Sequence, residues 1–325
     1  MAAVAGSTVT ALGAAQRYAL RGQMSRLSSH TSDLSLIAGD AGMPVHAWVE
    51  GAGSFNSLHN SGDMSGYRLN AWGASAGASV SPQKDVLVGV ALSAMYGDLD
   101  AHGADSARGD LDSFYLSLYG HVQSSAWGHS LIVSAGTSEA KLNRTVDYGL
   151  GSYSTHGKTD GVGVGAVYEL TYDLPLNEDR SSLLQPLFSA SIVSTSMDAY
   201  SESGAGNIGL NVGEQKWITG SIATGARWVG KMGSRLFGRA ARAEVSMAIA
   251  QDLGDSQGQA DVALLADPTM RRRVKGAKIG STAAQLGAGL ALPVEKSMFI
   301  YTNAHADFRH GAHSWNASAG VQMSF

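Results

Sequence analysis

The chain changes its hydrophobic period once. Before residue 44 apolar positions are sparse and fall at helical spacings. From residue 44 onward they alternate with polar or glycine positions, the period of a strand. The stretch 313–325 is the clearest case. Its odd positions are Trp315, Ala317, Ala319, Val321, Met323 and Phe325, and its even positions are Ser314, Asn316, Ser318, Gly320, Gln322 and Ser324. Successive strand side chains point to opposite faces, so this stretch has one apolar face and one polar face. The apolar face meets either a soluble core or lipid, and in the second case the polar face lines a lumen.

The same alternation predicts twelve strands, over about 44–56, 65–81, 84–98, 109–124, 126–141, 156–173, 183–201, 208–229, 234–252, 274–291, 296–308 and 313–325. In the third, Val86, Val88, Val90, Leu92 and Tyr96 share a face. In the ninth, Ala241, Ala243, Val245, Met247 and Ile249 oppose Arg242 and Glu244. Connections near 82, 125, 231 and 293 are short. Those over 56–65, 99–109, 142–155 and 253–273 are long and polar, with 176–182 intermediate. Each of these strands reaches or exceeds the roughly 9–11 residues that cross a bilayer at a tilt, and all exceed the roughly 5–6 typical of soluble sheets. Arg242, Glu244, Glu169, His121 and Asp307 fall on the polar faces. In a protein core they would be buried without evident partners, whereas in a water-filled lumen they are solvated or paired. The expected fold is therefore all-β, a twelve-stranded antiparallel transmembrane barrel. An even strand number puts both ends of the sheet on one side, so the segment before residue 44 starts in the periplasm. Trp72, Trp127, Trp228 and Trp315 are candidates for the interfacial aromatic girdles.

Residues 7–37 read as a helix. Val9, Leu12, Leu20, Met24 and Leu27 make a thin apolar stripe, interrupted by Arg17, Arg21 and Arg26. Such a helix fits two places, the surface of a domain or the inside of a hydrophilic pore. Taken alone, the segment favours the surface.

Composition narrows the class. Among 325 residues there are 41 glycines, 6 prolines and no cysteine, which suits a β-rich chain that stays unfolded in an oxidising periplasm. The net charge of −4 argues against a nucleic-acid binder. No run of about 18 apolar residues is present, so no membrane-spanning helix is expected. The opening MAAVAGSTVT lacks the basic and apolar regions of a secretory signal, so an exported form is expected to carry its signal upstream.

Little catalytic chemistry stands out. Asp98, Asp100, His102, Asp105, Asp110 and Asp112 crowd one loop without the ordered ligand pattern of a calcium site. His310 and His313 lack a third zinc ligand nearby. Arg271, Arg272 and Arg273 form either a lipopolysaccharide contact or a solvated charge run. His121 shares a face with Ser113 and Ser117, as in a barrel hydrolase, but hydroxyls and histidines also line lumens. No catalytic residue, metal or cofactor is expected.

A polar helix, about 280 residues in twelve long strands and an aromatic closing strand together resemble the translocator β-domain of classical monomeric autotransporters, the type V secretion family. The resemblance runs through Val45-His46-Ala47-Trp48-Val49-Glu50-Gly51, Gly66-Tyr67, Leu87-Val88-Gly89-Val90-Ala91, Gly287-Ala288-Gly289-Leu290 and Gly320-Val321-Gln322-Met323-Ser324-Phe325. It implies that residues 1–43 are a linker and pore-spanning helix and that 44–325 are a monomeric outer-membrane barrel. That barrel would pass its own N-terminal passenger, absent from this chain, to the cell surface and then be plugged by the helix. Twelve strands lie between the eight that enclose only side chains and the 16–18 that leave an open channel, which leaves room for one helix. Implied partners are outer-membrane lipids, lipopolysaccharide and the barrel assembly machinery, which would read Val321, Met323 and Phe325 in the closing strand. Arg17, Arg21 and Arg26 are expected to pair with Glu169, Glu244 or Asp307, with Arg242 in the same lumen. Some relatives cut themselves at an asparagine of the helix. Residues 1–43 contain none, so self-cleavage is not expected. The alternatives are a free-standing channel whose helix lies outside or caps the pore, and a barrel hydrolase.

Overall fold

The alternating segments form one closed sheet. A computed structural model describes residues 7–41, 45–102, 106–148, 151–236, 239–295 and 297–325. Its barrel strands are β1 (Val45–Leu58), β2 (Gly66–Gln83), β3 (Val86–His102), β4 (Ser106–Ser124), β5 (Trp127–Tyr148), β6 (Gly151–Tyr172), β7 (Ser182–Met197), β8 (Gln215–Leu236), β9 (Arg239–Gly254), β10 (Thr282–Pro293), β11 (Met298–Arg309) and β12 (Ala312–Ser324). Each pairs antiparallel with its neighbours in sequence, and β1 pairs with β12 from His46–Ser324 to Leu58–Ala312. The seam extends to the last residue. The Phe325 N–H donates to the Val45 carbonyl at 2.8 Å, and the return bond is 3.4 Å. Lipid offers no hydrogen-bond partner to an open edge, so a spanning sheet has to close on itself.

The outer face shows where lipid ends. On β3, Val86, Val88, Val90, Leu92, Ala94 and Tyr96 point outward, followed by Asp98 and Asp100. Ten steps at about 3.3 Å, tilted by about 40°, give an apolar band about 25 Å tall. β4 changes in the same way, from Val122, Leu118, Leu116 and Phe114 to Asp112 and Asp110. Beyond the band, β3–β4 and β5–β6 continue as polar hairpins at the rim that also carries 198–214 and 255–281. The opposite rim holds the turns at 84–85 and 125–126 and the connection 173–181. Exposed Trp72 lies 5.0 Å from Tyr96, and exposed Trp315 lies 5.1 Å from Phe308. Trp127 packs edge-on to Tyr172 at 4.7 Å, near the short-turn rim. Trp228 is half-buried and donates to the Ser182 hydroxyl at 2.9 Å.

A single 3-10 turn, Ser7–Val9, leads into α1 (Thr10–Ala41), which lies inside the barrel. From Thr8 to Thr31 every side chain is buried except Tyr18, Arg21, Ser25 and Ser28, which are half-buried and form one stripe. The surface placement that the segment alone favours is therefore not the one adopted. The helix runs from the long-loop rim, where Ser7 and Ser65 share a hydrogen bond, to the level of Trp48 and Tyr301 near the other rim. Its first turns join an apolar core of Val9, Leu12, Leu69, Leu142, Met197, Tyr200, Val212, Trp217 and Val262. Part of that core comes from a four-stranded sheet made by Tyr200–Ser201, Leu210–Val212, Gln257–Leu264 and Asp267–Lys278, which covers this end of the lumen.

Several expected boundaries move. The expected loops 99–109 and 142–155 are mostly strand, because β3–β4 and β5–β6 stay paired to His102–Ser106 and Tyr148–Gly151. The seventh strand stops at Met197 and the eighth starts at Gln215, the residues between being drawn into the covering sheet. The eighth runs on to Leu236, past the turn expected near 231. The tenth starts at Thr282, since 274–278 belong to the covering sheet.

Gly161, Gly163 and Gly165 of β6 face the helix and seat Gln16, Leu20 and Met24. A Cβ at Gly161 would lie 2.6 Å from the Ser196 carbonyl oxygen and 2.7 Å from the Gln16 side chain. Gly161→Val is therefore expected to destabilise the helix-filled barrel by about 1–3 kcal/mol, read as a lower thermal midpoint in detergent. Gly51→Ala, where nothing lies within 4 Å, is expected to leave it unchanged.

Candidate functional site

The site is the contact between a charged helix and a polar wall. Strand parity places the wall's side chains. The inward positions of β9 are Arg242, Glu244, Ser246, Ala248, Ala250 and Asp252, and those of β11 include Tyr301, Asn303, His305, Asp307 and Arg309. Helix periodicity supplies the other side, with Arg17 and Arg21 about one turn apart and Arg26 about a turn and a half further on.

The helix arginines meet acids other than those expected. Arg21 forms a bidentate pair with Asp252, at 2.8 and 3.2 Å, and Arg17 stands 3.8 Å from the same carboxylate. Arg309 approaches Asp252 at 2.6 Å from the wall and also pairs with Asp307 at 2.7 Å. Asp307 is thus taken by its own strand neighbour, and Gln285 donates to it at 3.1 Å. Arg26 faces Glu50 of β1 at 3.7 Å, both side chains under 5 % exposed, and donates to Gln23 Oε1 at 3.1 Å. Gln23 in turn donates to the Ser93 hydroxyl at 2.7 Å. Glu169 and Glu244 do not reach the helix arginines. Arg227 of β8 occupies them, at 2.9 and 3.9 Å. Arg242 lines the lumen one inward step from Glu244, toward the short-turn rim.

Asp252, Glu50, Arg227 and Arg309 were missed as partners. All four sit on inward parities of strands whose other face is apolar; Glu50, Arg227 and Asp252 fall within the expected strands, and Arg309 lies one residue past the end of one. The geometry adds aromatic and polar packing around the arginines. The Arg17 guanidinium lies 4.7 and 5.0 Å from the ring centres of Tyr18 and Trp217. His30 sits 4.2 Å from the ring of Trp48 and 4.9 Å from that of Tyr301, and Ser29 shares a hydrogen bond with His305. A further buried pair ties β5 to the residue after Tyr200–Ser201, Arg144 with both oxygens of Glu202 at 2.9 and 2.6 Å.

The other sequence candidates resolve into ordinary contacts. His121 pairs with Ser130 at 2.9 Å, while Ser113 and Ser117 pair with Ser138 and Ser134. The combination of His121 with Ser113 or Ser117, weighed above for a barrel hydrolase, is therefore not formed. Asp98 and Asp110 face each other across β3–β4 on the outer surface, and Asp100 pairs with Arg108 at 3.3 Å. Arg273 donates to both oxygens of Asp261, which holds that carboxyl below the usual carboxylate range, while Arg271 and Arg272 are exposed. Val321, Met323 and Phe325 lie on the outward parity of the closing stretch, with Met323 and Phe325 exposed and Val321 half-buried.

A family model described as autotransporter beta-domain matches residues 47–305. Three solved structures share the fold. The translocator domain of autotransporter NalP from Neisseria meningitidis superimposes with a TM-score of 0.68 at 11% identity, over 95% of this chain and 98% of that one. The beta domain of the Bordetella autotransporter BrkA gives 0.61 at 12% identity, over 87% and 100%. The transport unit of autotransporter AIDA-I from Escherichia coli gives 0.54 at 13%, over 87% and 90%. No curated protein matches the chain.

Removing one partner of a buried ion pair strands the other charge, at a cost of about 3–5 kcal/mol. Arg26→Met is expected to lower thermal stability on that scale. The double variant Arg26→Met with Glu50→Leu is expected to recover most of it, measured as a double-mutant cycle on the refolded barrel.

Proposed function

The chain belongs to the autotransporter β-domain family, and from that premise we propose that it carries the chain N-terminal to Ser7 across the outer membrane, after which α1 remains as plug and tether. The observation that carries this reading is the direction of a charged helix inside a closed barrel. α1 joins β1 at the short-turn rim, and its N-terminus lies at the long-loop rim beside Ser65. Anything attached before Ser7 is therefore delivered to the far side of the bilayer while staying covalently linked to the barrel.

A helix with arginine, glutamine and serine around its circumference is poorly suited to lipid or to an apolar core. Inside this lumen it finds hydroxyls, carboxylates and amides at matching heights. The wall offers a moving chain many small polar side chains, with Ser75, Ser79, Ser93, Ser117 and Ser134 among its buried inward positions. Arg17, Arg21 and Arg26 act as positioning residues that set the height at which the helix stops. The outward apolar parity of β12, ending in Met323 and Phe325, is the segment offered to the barrel assembly machinery. Outer-membrane lipid surrounds the apolar band, with lipopolysaccharide at the rim that carries the extended hairpins.

Two outcomes test this. A folded reporter fused upstream of Met1 behind a secretory signal is expected to be shaved from intact cells by added protease. In planar bilayers residues 1–325 are expected to give a small conductance, and residues 44–325 a several-fold larger one. A large conductance indifferent to removal of the helix would instead identify a free-standing channel.

A further inference from the structure

The helix does not fill the lumen evenly. On one side it is packed closely, with Leu20 seated at Gly163 and Leu27 against Trp48, Leu87 and Tyr119, and Met24 at Gly165 stands at the border. The other side, the half-buried stripe Tyr18, Arg21, Ser25 and Ser28, faces a polar cavity of about 190 Å³ that also meets Ser189, Ser246 and His305. A second cavity, about 240 Å³, lies at the short-turn rim among Lys84, Asp85, Asp173, Arg180 and Arg242. These two share Glu169 and Arg227 in their walls. A third, about 480 Å³, lies at the long-loop rim among His59, Lys278, Gly280 and His310. Arg309 connects it to the first. Its guanidinium lines the middle cavity, donates to the Gly280 carbonyl at 3.3 Å and holds Asp252 at 2.6 Å.

The middle cavity thus follows the Tyr18–Ser28 stripe of the helix, one cavity lies toward each rim, and ion-pair clusters stand between them. We propose that the plugged barrel retains a hydrated path for small inorganic ions along the Arg21–Ser28 face of α1. Two clusters gate it, Glu169–Arg227–Glu244 and Arg21–Asp252–Arg309–Asp307. The inference rests on the plugged-barrel reading above. Apolar packing blocks an ion by leaving no volume for it. An ionic cluster blocks it by holding both charges engaged, and it discriminates by sign. Around Asp252 three guanidiniums, those of Arg17, Arg21 and Arg309, face the two carboxylates of Asp252 and Asp307. The excess is positive, so this gate opposes cations. At the other gate the Arg227 guanidinium stands between the carboxylates of Glu169 and Glu244.

The experiment is single-channel recording of residues 1–325 in a potassium chloride gradient, with heat-modifiable migration as the check on folding. Arg21→Gln removes one charge and the bidentate bond, and is expected to raise conductance several-fold and move the reversal potential toward potassium. Arg21→Lys keeps the charge and is expected to stay near the parent. Arg227→Gln, at the other gate, is expected to shift the reversal potential in the same direction. The proposal fails if both glutamine variants keep the parent conductance and reversal potential, or if Arg21→Lys opens the path as far as Arg21→Gln. Surface exposure of a fused reporter, measured on the same variants, separates the two readings. Delivery without any electrical change removes the gates and leaves translocation standing.

Discussion

No backbone group that faces lipid can be left without a partner, and the rest of this molecule follows from that. Twelve strands meet the condition only because β1 finds β12 and the bonds between Val45 and Phe325 complete the ring. Closure fixes the remaining geometry. An even strand count returns the chain to the rim where it began, so the segment before β1 has to approach from that side. The lumen is as wide as twelve strands make it, and a single helix fits there with room on one side.

Polarity inside and apolarity outside invert the arrangement of a soluble domain. The wall directs serines, glutamines and charges inward, and the largest apolar cluster among the described residues lies at one end, where α1 meets the covering sheet. Along the rest of the helix, ion pairs stand beside smaller apolar contacts, those of Leu20, Met24 and Leu27. Buried pairs give little net stability relative to a well-packed apolar substitute, but they are costly to mismatch, so they specify height and rotation more than they hold. Arg21 on Asp252 and Arg26 on Glu50 lie on different sides of the helix and about a turn and a half apart, which fixes both.

Most of the barrel was legible because a two-residue period survives any error in strand ends. Parity assigned Glu169, Arg242, Glu244 and Asp307 to the inner face without knowledge of neighbours. Their partners were not legible in the same way. Pairing across a barrel depends on shear and on the height of the helix, and neither leaves a mark in a single strand. Arg309 claimed Asp307 and Arg227 claimed Glu169 because those guanidiniums stand on the wall itself, nearer than any helix residue. The covering sheet was the larger omission. Residues 198–214 and 257–278 carry short alternating runs that look like barrel strand or polar loop. Only the burial of Tyr200, Val212 and Val262 against Val9 and Leu12 distinguishes them.

That shared core makes completion a cooperative event. The core is shared between the first turns of α1 and what surrounds them, barrel-strand residues such as Leu69, Leu142 and Trp217 and a sheet built from two late connections. Neither half has a partner while any other stretch of polypeptide occupies the lumen. The apolar cluster therefore assembles once, when Val9, Leu12 and Trp217 arrive together, and from then on backward movement of the helix has to expose all of it at once. A barrel built this way has a pawl at its mouth: transit in one direction ends in burial, and reversal begins with the loss of it.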